Sequence, residues 1–445
     1  MMDTTTLLSI LRNRSVTVWV EGSRLKCSAP MGALDAELRS ALASRKEEVI
    51  AILQADASTS GPPGTAPIKS EQVTTSVLRT ITREVPLPIP VRPERMIHFA
   101  QELRSCSYDL ANCAKRLGVF PRLGVNFWPK MRSAWIARAE DPIDNLITLF
   151  IDGHQVSTDL IVKQISSSFV DAALEMRLIE CANGFLKSNA CLFPCYGKYI
   201  VTDHAAKNTA INQVMWLWGE SFILGGFVKR TPRRRAIDLG TGSGIHAILA
   251  ADHCISVIGA DINQRAIAFA KFNAMLNGKS NVELVLSDLF KSIDGPCDLL
   301  LANPPYAPDS AAKPGDNFWS GGVKGTDLLR RIVEALPDRL DQDGIAHLIA
   351  LYPNPPRTKI KDHFDMWLGG KLADWDVLDH TWPVPQYEDM LSDQPFHGDK
   401  SAWRFGVVSL RRSAATNGWW KEVAGRGLFF AVDGRCNVVA DHDTN

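Results

Sequence analysis

The sequence lacks two features: a long hydrophobic run and an excess of charge of one sign. Its 445 residues carry 49 Lys and Arg against 49 Asp and Glu, so its net charge does not attract nucleic acid. No apolar stretch approaches the roughly 18 residues that a membrane-spanning helix needs. The first residues have an early acid and no apolar core of signal-peptide length. We therefore expect a cytoplasmic protein with no membrane partner, and nucleic acid is not favoured.

Cysteines are present, but not in a pattern that indicates disulfides or a metal site. There are nine of them, an odd number, and they are scattered along the chain. The tightest pair, Cys191 and Cys195, has the wrong spacing for a CxxC knuckle, and no second pair matches it. This usage is typical of reduced thiols. We predict no metal centre.

Length and composition predict four segments. Residues 1–54 show a helix, a hairpin turning at Glu21-Gly22-Ser23, and a second helix. Residues 55–92 are rich in Ser, Thr, Gly and Pro, which indicates a flexible linker. Residues 93–205 form a mainly helical domain, and residues 206–445 form an α/β domain.

Within the helical domain, apolar spacing predicts helices over 94–117, 141–153 and 167–184. Strands with a glycine turn are predicted over 185–203. Helices followed by a hairpin are typical of winged-helix domains, which bind DNA or recognise substrates. The candidate recognition helix has no basic run. We therefore expect a winged-helix-like substrate-recognition domain.

In the last segment, strands alternate with helices of about 10 to 15 residues, a pattern that indicates βαβ units on a mostly parallel sheet. The predicted strands cover 234–240, 256–262, 282–288, 297–305, 344–353 and 403–412. Gly240, Gly242 and Gly244 follow the first strand and open a helix, where glycine lets the backbone turn tightly. Their G-x-G-x-G spacing differs from the G-x-G-x-x-G of dinucleotide binders.

Polar side chains follow the next three strands. Asp261 stands about 20 residues beyond the glycines, where an acid accepts ribose hydroxyls. Asp288 ends the third strand and can accept from an adenine amino group, although both acids could instead cap helices. The segment Asn303-Pro-Pro-Tyr306 ends the fourth strand. Because open α/β sheets bind ligands at the carboxyl ends of their strands, these groups should converge on one edge.

The ordered motifs "DLGTGSG", "GADIN", "SDLF" and "NPPY" resemble class I S-adenosylmethionine methyltransferases, with their Rossmann-like sheet. The closest resemblance is to the HemK/PrmC-like branch, which methylates planar nitrogen, and "SGGVKGTDLLRRIVEAL" looks like the same branch. The resemblance implies S-adenosyl-L-methionine as cofactor. The cofactor-binding residues it implies are Asp238, Gly240, Thr241, Gly242, Gly244, Asp261, Ile262, Asp288, Leu289 and Asn303.

The NPPY segment is the predicted catalytic centre. The Asn303 side-chain oxygen and the Pro304 carbonyl can each accept an N–H and so orient a nitrogen lone pair for in-line methyl transfer. Tyr306 can stack on the flat acceptor group. No strong general base is required, so we expect His246 to be a packed histidine. Trp216, Trp218 and Trp319 are candidates to line a substrate pocket or to pack in the core.

One family segment is missing. The glutamine methyltransferases carry Arg-Pro-x-Thr-Glu ahead of the glycine loop, and this chain has "WLWGESFIL" there. Glu220 is the candidate replacement for the missing acid and is included among the cofactor-site residues. The departure leaves the release-factor substrate of that branch open.

The N-terminal unit resembles the TubC-type docking domains of nonribosomal peptide and polyketide synthetases, over "VWVEGSRLK" and the following helix. In that family the domain is a small αββα unit. The face of its β-hairpin binds the C-terminal tail of an upstream subunit, often through basic residues. The corresponding stretch is Val18 to Lys26, with Arg24 and Lys26 as candidate contacts. Whether the chain also pairs into a homodimer is left open.

The sequence thus predicts a methyltransferase that is recruited to a synthetase and methylates the nitrogen of a free or carrier-bound pathway intermediate. Two alternatives stay open: a HemK-like methyltransferase of a protein glutamine or a nucleic-acid base, and a non-catalytic docking scaffold.

Overall fold

The computed structural model divides the chain into two compact units, residues 1–79 and 80–445. The residues that it describes are 17–21, 24–28, 38, 44–49, 86–117, 140–204, 212–217, 219–306, 320–323, 325–353, 358–383, 403–413 and 420–422.

The first unit contains the predicted hairpin. Strands β1 (Thr17–Glu21) and β2 (Arg24–Ser28) pair antiparallel, with Glu21 opposite Arg24, which confirms the turn at residues 22 and 23. Residue 38 and most of 44–49 are helical, in agreement with the second predicted helix. The first predicted helix, over residues 5–13, lies outside the described residues.

The helical segment opens the second unit. Its helices are α1 (Pro93–Ser105), α2 (Leu110–Arg116), α3 (Pro142–Leu146, continued by a π-turn over Ile147–Ile151), α4 (Thr158–Gln164) and α5 (Ser167–Glu175). Its strands are β3 (Val156–Ser157), β4 (Ile179–Ala182), β5 (Phe185–Ser188), β6 (Cys191–Cys195) and β7 (Lys198–Thr202).

Two predicted helices were too long. The expected helix over 94–117 breaks into α1 and α2 because Ser107 takes a positive φ of 56°. Asp109 then starts α2 by accepting a 2.8 Å hydrogen bond from the Asn112 backbone. The expected helix over 167–184 ends at Glu175, and the chain turns into β4.

The strands of this segment form two small antiparallel sheets. The first has the order β3-β5-β4, and the second is the hairpin β6–β7. Asn183 and Gly184 turn between β4 and β5 with φ values of 54° and 77°, and Gly197, at 74°, turns within the second hairpin. Helices followed by hairpins are thus observed, as predicted.

An eight-stranded sheet follows. Its strands are β8 (Arg233–Leu239), β9 (Cys254–Asp261), β10 (Val282–Leu286), β11 (Cys297–Ala302), β12 (Leu340–Pro353), β13 (Trp375–Pro383), β14 (Trp403–Arg412) and β15 (Trp420–Glu422). The helices are α6 (Gly219–Phe227), α7 (Ile245–Ala250), α8 (Gln264–Leu276), α9 (Asp327–Arg339) and α10 (Thr358–Trp367), with a 3₁₀ turn at Leu372–Asp374.

The strand order is β10-β9-β8-β11-β12-β14-β13-β15. The five strands from β10 to β12 pair in parallel, and β14 lies antiparallel between β12 and β13. This confirms the predicted mostly parallel sheet. Strand β13 and helix α10 were not predicted.

The helical segment shares its core with the large sheet domain. One continuous cluster of buried side chains joins Phe99 and Phe169 of the helical segment to Ile248, Phe269 and Phe272 of α7 and α8. Further clusters hold α9 and α10 and the helix α6 against the sheet. The apolar faces of α7 and α8 therefore hold the helical segment against the α/β domain.

None of the helices in the described part of the chain has the length and hydrophobicity needed to cross a membrane. The seven cysteines whose side chains the structure describes are all free thiols. Its His, Cys, Asp and Glu side chains form no group of three or more that could hold a metal.

Candidate active site

Strand register brings the predicted site residues to one edge. Leu239, the last residue of β8, pairs with Ala260 of β9 on one side and with Ala302 of β11 on the other. The next residue along each strand is therefore Gly240, Asp261 or Asn303. The three polar motifs meet at adjacent strand ends, where open α/β sheets bind their ligands.

The first two glycines of the loop leave open space. Gly240 and Gly242 have φ values of 65° and 53°, a conformation that favours glycine. A Cβ on Gly240 would meet nothing nearer than the Asn303 carbonyl oxygen at 3.9 Å. Gly244 differs, because its Cβ would lie 2.9 Å from the Cβ of Ala270. Gly240 and Gly242 thus leave room for a ligand, whereas Gly244 allows the loop to pack on α8.

Asp238 shapes the loop from beneath. One carboxylate oxygen accepts from the Thr241 hydroxyl at 2.6 Å and from the Ala247 backbone at 3.1 Å. The other oxygen is buried without a hydrogen-bond partner. Burial raises the pKa of Asp238 to about 7. Thr241, itself buried, supports the turn through this bond, and its backbone donates to Ala260 at 2.9 Å.

Asp261 ties the glycine loop to the next strand. Its carboxylate accepts from the Gly242 backbone at 2.8 Å and from the Asn263 backbone at 2.8 Å. Burial raises its pKa. Each oxygen keeps further acceptor capacity, which suits ribose hydroxyls. The neighbouring Ile262 leaves 67% of its surface exposed, so an apolar face is available beside the acid.

Asp288 is already engaged. Its carboxylate pairs with Lys291 at 2.7 Å and with Arg331 of α9 at 2.9 Å. Hydrogen bonds from Lys291 and then Arg331 lower its pKa. Leu289 adopts a positive φ of 51° and packs against the sheet core. The adenine contact predicted for Asp288 stays a prediction, and it would have to share the carboxylate with both cations.

Asn303 presents a free amide. Within the part of the chain that the structure describes, no group bonds its side chain, and the residue is only partly buried. Pro304 follows as a buried residue that ends the strand. An unbonded side-chain amide beside the open space over Gly240 can accept from, or donate to, a planar nitrogen group.

Tyr306 turns inward. Its side chain is 7% exposed, its hydroxyl bonds Glu220 of α6, and its ring meets Phe405 edge-on with centroids 5.7 Å apart. The second carboxylate oxygen of Glu220 is buried without a partner. Glu220 therefore supports the NPPY segment from behind. Stacking of Tyr306 on an acceptor stays a prediction that this buried position does not favour.

The Glu220–Tyr306 pair predicts a pH effect on stability. Burial raises the pKa of Glu220, so the folded state holds a proton that the unfolded chain releases. The stabilisation is complete below the unfolded pKa and is lost as pH rises through the folded one. Glu220→Gln keeps an acceptor for Tyr306 and removes the titration.

We expect wild-type stability, relative to Glu220→Gln, to fall as pH rises above about 4.3, by at most about 1.4 kcal/mol per pH unit. Urea unfolding at several pH values measures this difference. Glu334→Gln, on an exposed face of α9, is the matched control. Equal pH slopes for wild type and Glu220→Gln would contradict the expectation.

Sequence reasoning missed two supports of the site in the segment "SGGVKGTDLLRR". A Cβ on Gly321 would lie 2.7 Å from the Pro305 carbonyl oxygen and 2.8 Å from the Tyr306 Cα. Gly321 therefore lets this loop press directly on the NPPY backbone. Arg331, in the same segment, holds Asp288 through an ion pair of 2.9 Å. The paired glycines were the available signal, but only the fold shows what they touch.

The remaining candidates differ in outcome. Trp216 is partly buried and packs against two core clusters. Trp218 and Trp319 lie outside the described residues. His246 is 4% exposed, and burial lowers its pKa to about 3, as expected for a packed neutral histidine.

Strand order, the antiparallel strand β14 and the glycine loop after β8 together define the class I methyltransferase fold. Comparisons with known families agree. Residues 219–367 match the family model "Methyltransferase small domain", and residues 5–55 match "TubC N-terminal docking domain". The chain thus carries a methyltransferase domain of the S-adenosylmethionine-dependent class, preceded by a TubC-type docking domain.

Its relatives include HemK/PrmC-type glutamine methyltransferases. A putative protein N5-glutamine methyltransferase of Methanocaldococcus jannaschii is 34% identical over 118 residues, which are 25% of this chain and 59% of that protein. A ribosomal protein uL3 glutamine methyltransferase of Bradyrhizobium diazoefficiens is 39% identical over 127 residues, 26% of this chain and 40% of the relative. The chain thus spans about half the length of these relatives.

Among solved structures, the ribosomal protein L11 methylase of Lactobacillus delbrueckii subsp. bulgaricus is similar at 21% identity and a TM-score of 0.29, over 43% of this chain and 77% of that one.

The residues present fit S-adenosylmethionine. Gly240 and Gly242 leave space in which added Cβ atoms would meet only backbone oxygens at 3.9 Å. The unpartnered oxygen of Asp238 suits an ammonium group. Asp261 would hold the ribose, and the exposed Ile262 offers an apolar surface to the adenine.

Proposed function

We propose that this chain transfers a methyl group from S-adenosylmethionine to a planar nitrogen of a pathway intermediate. We propose further that its docking domain recruits it to a nonribosomal peptide or polyketide synthetase. The observation that carries the first part is the unbonded amide of Asn303, held beside the glycine loop by the pairing of β8 with β11.

The chemistry needs positioning more than proton transfer. When bound, the cofactor supplies an electrophilic methyl group on a sulfonium sulfur. The Asn303 oxygen and the Pro304 carbonyl accept N–H bonds from the acceptor and direct its lone pair. Transfer of this methyl group would form the N–C bond and break the C–S bond, and the extra proton would leave to water. Glu220 and Tyr306 hold the segment that carries both acceptors.

Recruitment rests on the N-terminal hairpin. Strands β1 and β2 form a two-stranded sheet, and an exposed sheet edge can accept an extended peptide as an added strand. The tail of an upstream subunit would lie along Val18 to Lys26, with Arg24 and Lys26 as contacts. Tethering through residues 55–92 would raise the effective acceptor concentration to about millimolar, as for a short flexible linker.

A second candidate acceptor is a protein glutamine side chain, favoured by the names of the relatives. A glutamine amide is also a planar nitrogen, so Asn303 and Pro304 would serve it equally well. A nucleic-acid base is less favoured because the chain has no net positive charge. A scaffold without catalysis has no need for a free Asn303 amide.

An intact-mass assay decides between the acceptors. The full chain is incubated with S-adenosylmethionine and either carrier-bound intermediates or glutamine-containing release-factor and ribosomal proteins. A one-methyl gain on the carrier-bound species supports the proposal, and a gain on the proteins alone supports the second candidate. Calorimetry with S-adenosylmethionine runs in parallel, and a lack of binding at high micromolar concentration would favour the scaffold.

The setting we propose is the cytoplasm, which the free thiols of the described cysteines suit. Whether the docking domains also pair into a homodimer is decided by light scattering on the full chain beside a chain lacking residues 1–79.

A further inference from the structure

Two asparagines of α8 take the place of a neighbouring strand along β7. The Asn273 amide accepts from the Val201 backbone at 2.8 Å and donates to the Val201 carbonyl at 2.8 Å. The Asn277 amide accepts from Tyr199 at 2.9 Å and donates to its carbonyl at 2.7 Å. Each side chain thus makes both hydrogen bonds that a paired strand residue would make.

The two periods match. Residues four apart on a helix rise by about 6 Å, and residues two apart on a strand rise by about 6.7 Å. Asn273 and Asn277 are four apart, and Val201 and Tyr199 are two apart on the outer edge of β7. One face of α8 can therefore satisfy that edge continuously.

Asn273 makes one contact that Asn277 does not. The second N–H of its amide donates to the Ser243 carbonyl at 2.8 Å, and Ser243 belongs to the glycine loop. Asn273 is fully buried, and its two donors are both used. The second donor bond of Asn277 goes instead to the Asn273 carbonyl within the same helix.

The same helix holds the chain that leaves the hairpin. Arg265 pairs with the buried Asp203 just beyond β7, with Nε donating at 2.8 Å. Asp203 also accepts from the Val214 backbone at 2.8 Å. Asn263, two residues beyond Asp261, donates to the Asn212 carbonyl at 2.9 Å. The hairpin and the segment after it are thus bonded to helix α8 and to the turn between β9 and α8, which lie beside the proposed S-adenosylmethionine site.

We propose that Asn273 is a positioning residue that couples the hairpin β6–β7 to the glycine loop, which binds S-adenosylmethionine. It fixes Ser243 with one N–H and the hairpin edge with its remaining groups, so each site stabilises the other. This inference rests on the proposed function, because it requires the glycine loop to bind S-adenosylmethionine. Asn277 fixes the hairpin alone.

The test compares Asn273→Ala with Asn277→Ala in the full chain. Both variants remove two hairpin bonds, but only Asn273→Ala releases the glycine loop. We expect the affinity for S-adenosylmethionine, measured by calorimetry, to fall about tenfold in Asn273→Ala and to stay within about twofold of wild type in Asn277→Ala. The donor KM should rise in the first variant, with kcat at saturating donor nearly unchanged.

A measurement on the wild type covers the case in which Asn273→Ala does not fold. Coupling is reciprocal, so adding S-adenosylmethionine should slow hydrogen exchange of the Val201 amide about tenfold, and that of Tyr199 much less. Equal donor affinity in the two variants, or equal slowing at both amides, would overturn the coupling. If the wild type bound no donor, the proposed function would fail instead.

Discussion

Asn303→Ala should lower kcat about a hundredfold to a thousandfold, while the affinity for S-adenosylmethionine stays within about twofold of wild type. The amide has no partner among the described residues, so its loss should not disturb the fold. What is lost is the group that orients the acceptor nitrogen, and such positioned polar groups are typically worth this much. Steady-state kinetics and calorimetry on the same preparations measure the two quantities.

Asn303→Asp is the matched variant, because it keeps an acceptor oxygen at the same place and replaces the amide donors with a second, negatively charged carboxylate oxygen. We expect it to retain more turnover than Asn303→Ala. Near wild-type kcat for Asn303→Ala would show that the acceptor is not oriented here. A parallel fall in thermal stability would indicate a structural role instead.

Gly321→Ala should lower kcat about a hundredfold through the NPPY backbone. The added Cβ would lie 2.4 Å from the Gly325 carbonyl oxygen and 2.7 Å from that of Pro305. All of the nearest atoms belong to backbone, so the loop and the NPPY segment must move apart. A displacement of about 1 Å at a reacting centre can cost about that factor, and overpacking costs about 1–3 kcal/mol of stability.

Gly369→Ala is the control for Gly321→Ala. Its φ of 69° makes alanine strained, yet its Cβ would meet nothing within 4 Å. The control should lose stability and keep its turnover. If Gly321→Ala lost no more turnover than Gly369→Ala at equal folded fraction, the loop would not support the site as described.

The place where the candidate site residues meet was predictable because each of them stands at the end of a parallel strand. Asp238, Asp261 and Asn303 each stand at or just beyond the end of a strand, and parallel strands share one carboxyl edge. The glycine spacing added that the first βα turn is tight. Both are local properties of the chain, and the register of β8 with its two neighbours confirms them.

The contacts that each side chain of the candidate site makes could not be predicted from the sequence. Gly244 was assigned to the cofactor, a role that stays a prediction, and the structure adds its close approach to Ala270. Asp288 forms ion pairs with Lys291 and Arg331, and Arg331 belongs to a helix more than forty residues later in the chain. Tyr306 was expected to face the acceptor, and its hydroxyl bonds Glu220, which is 86 residues away in the chain.

By itself the sequence determined the α/β sheet, the residues that meet at its carboxyl edge and the N-terminal hairpin, because periodicity, turn residues and motif spacing act over short stretches of chain. Only the tertiary structure decided which polar groups form hydrogen bonds that support the candidate site and which have no partner among the described residues. That choice depends on burial and on partners distant in sequence, as in the bonds from Asn273 to Val201 and Ser243. The Asn303 amide stays free because no such partner reaches it from the described chain.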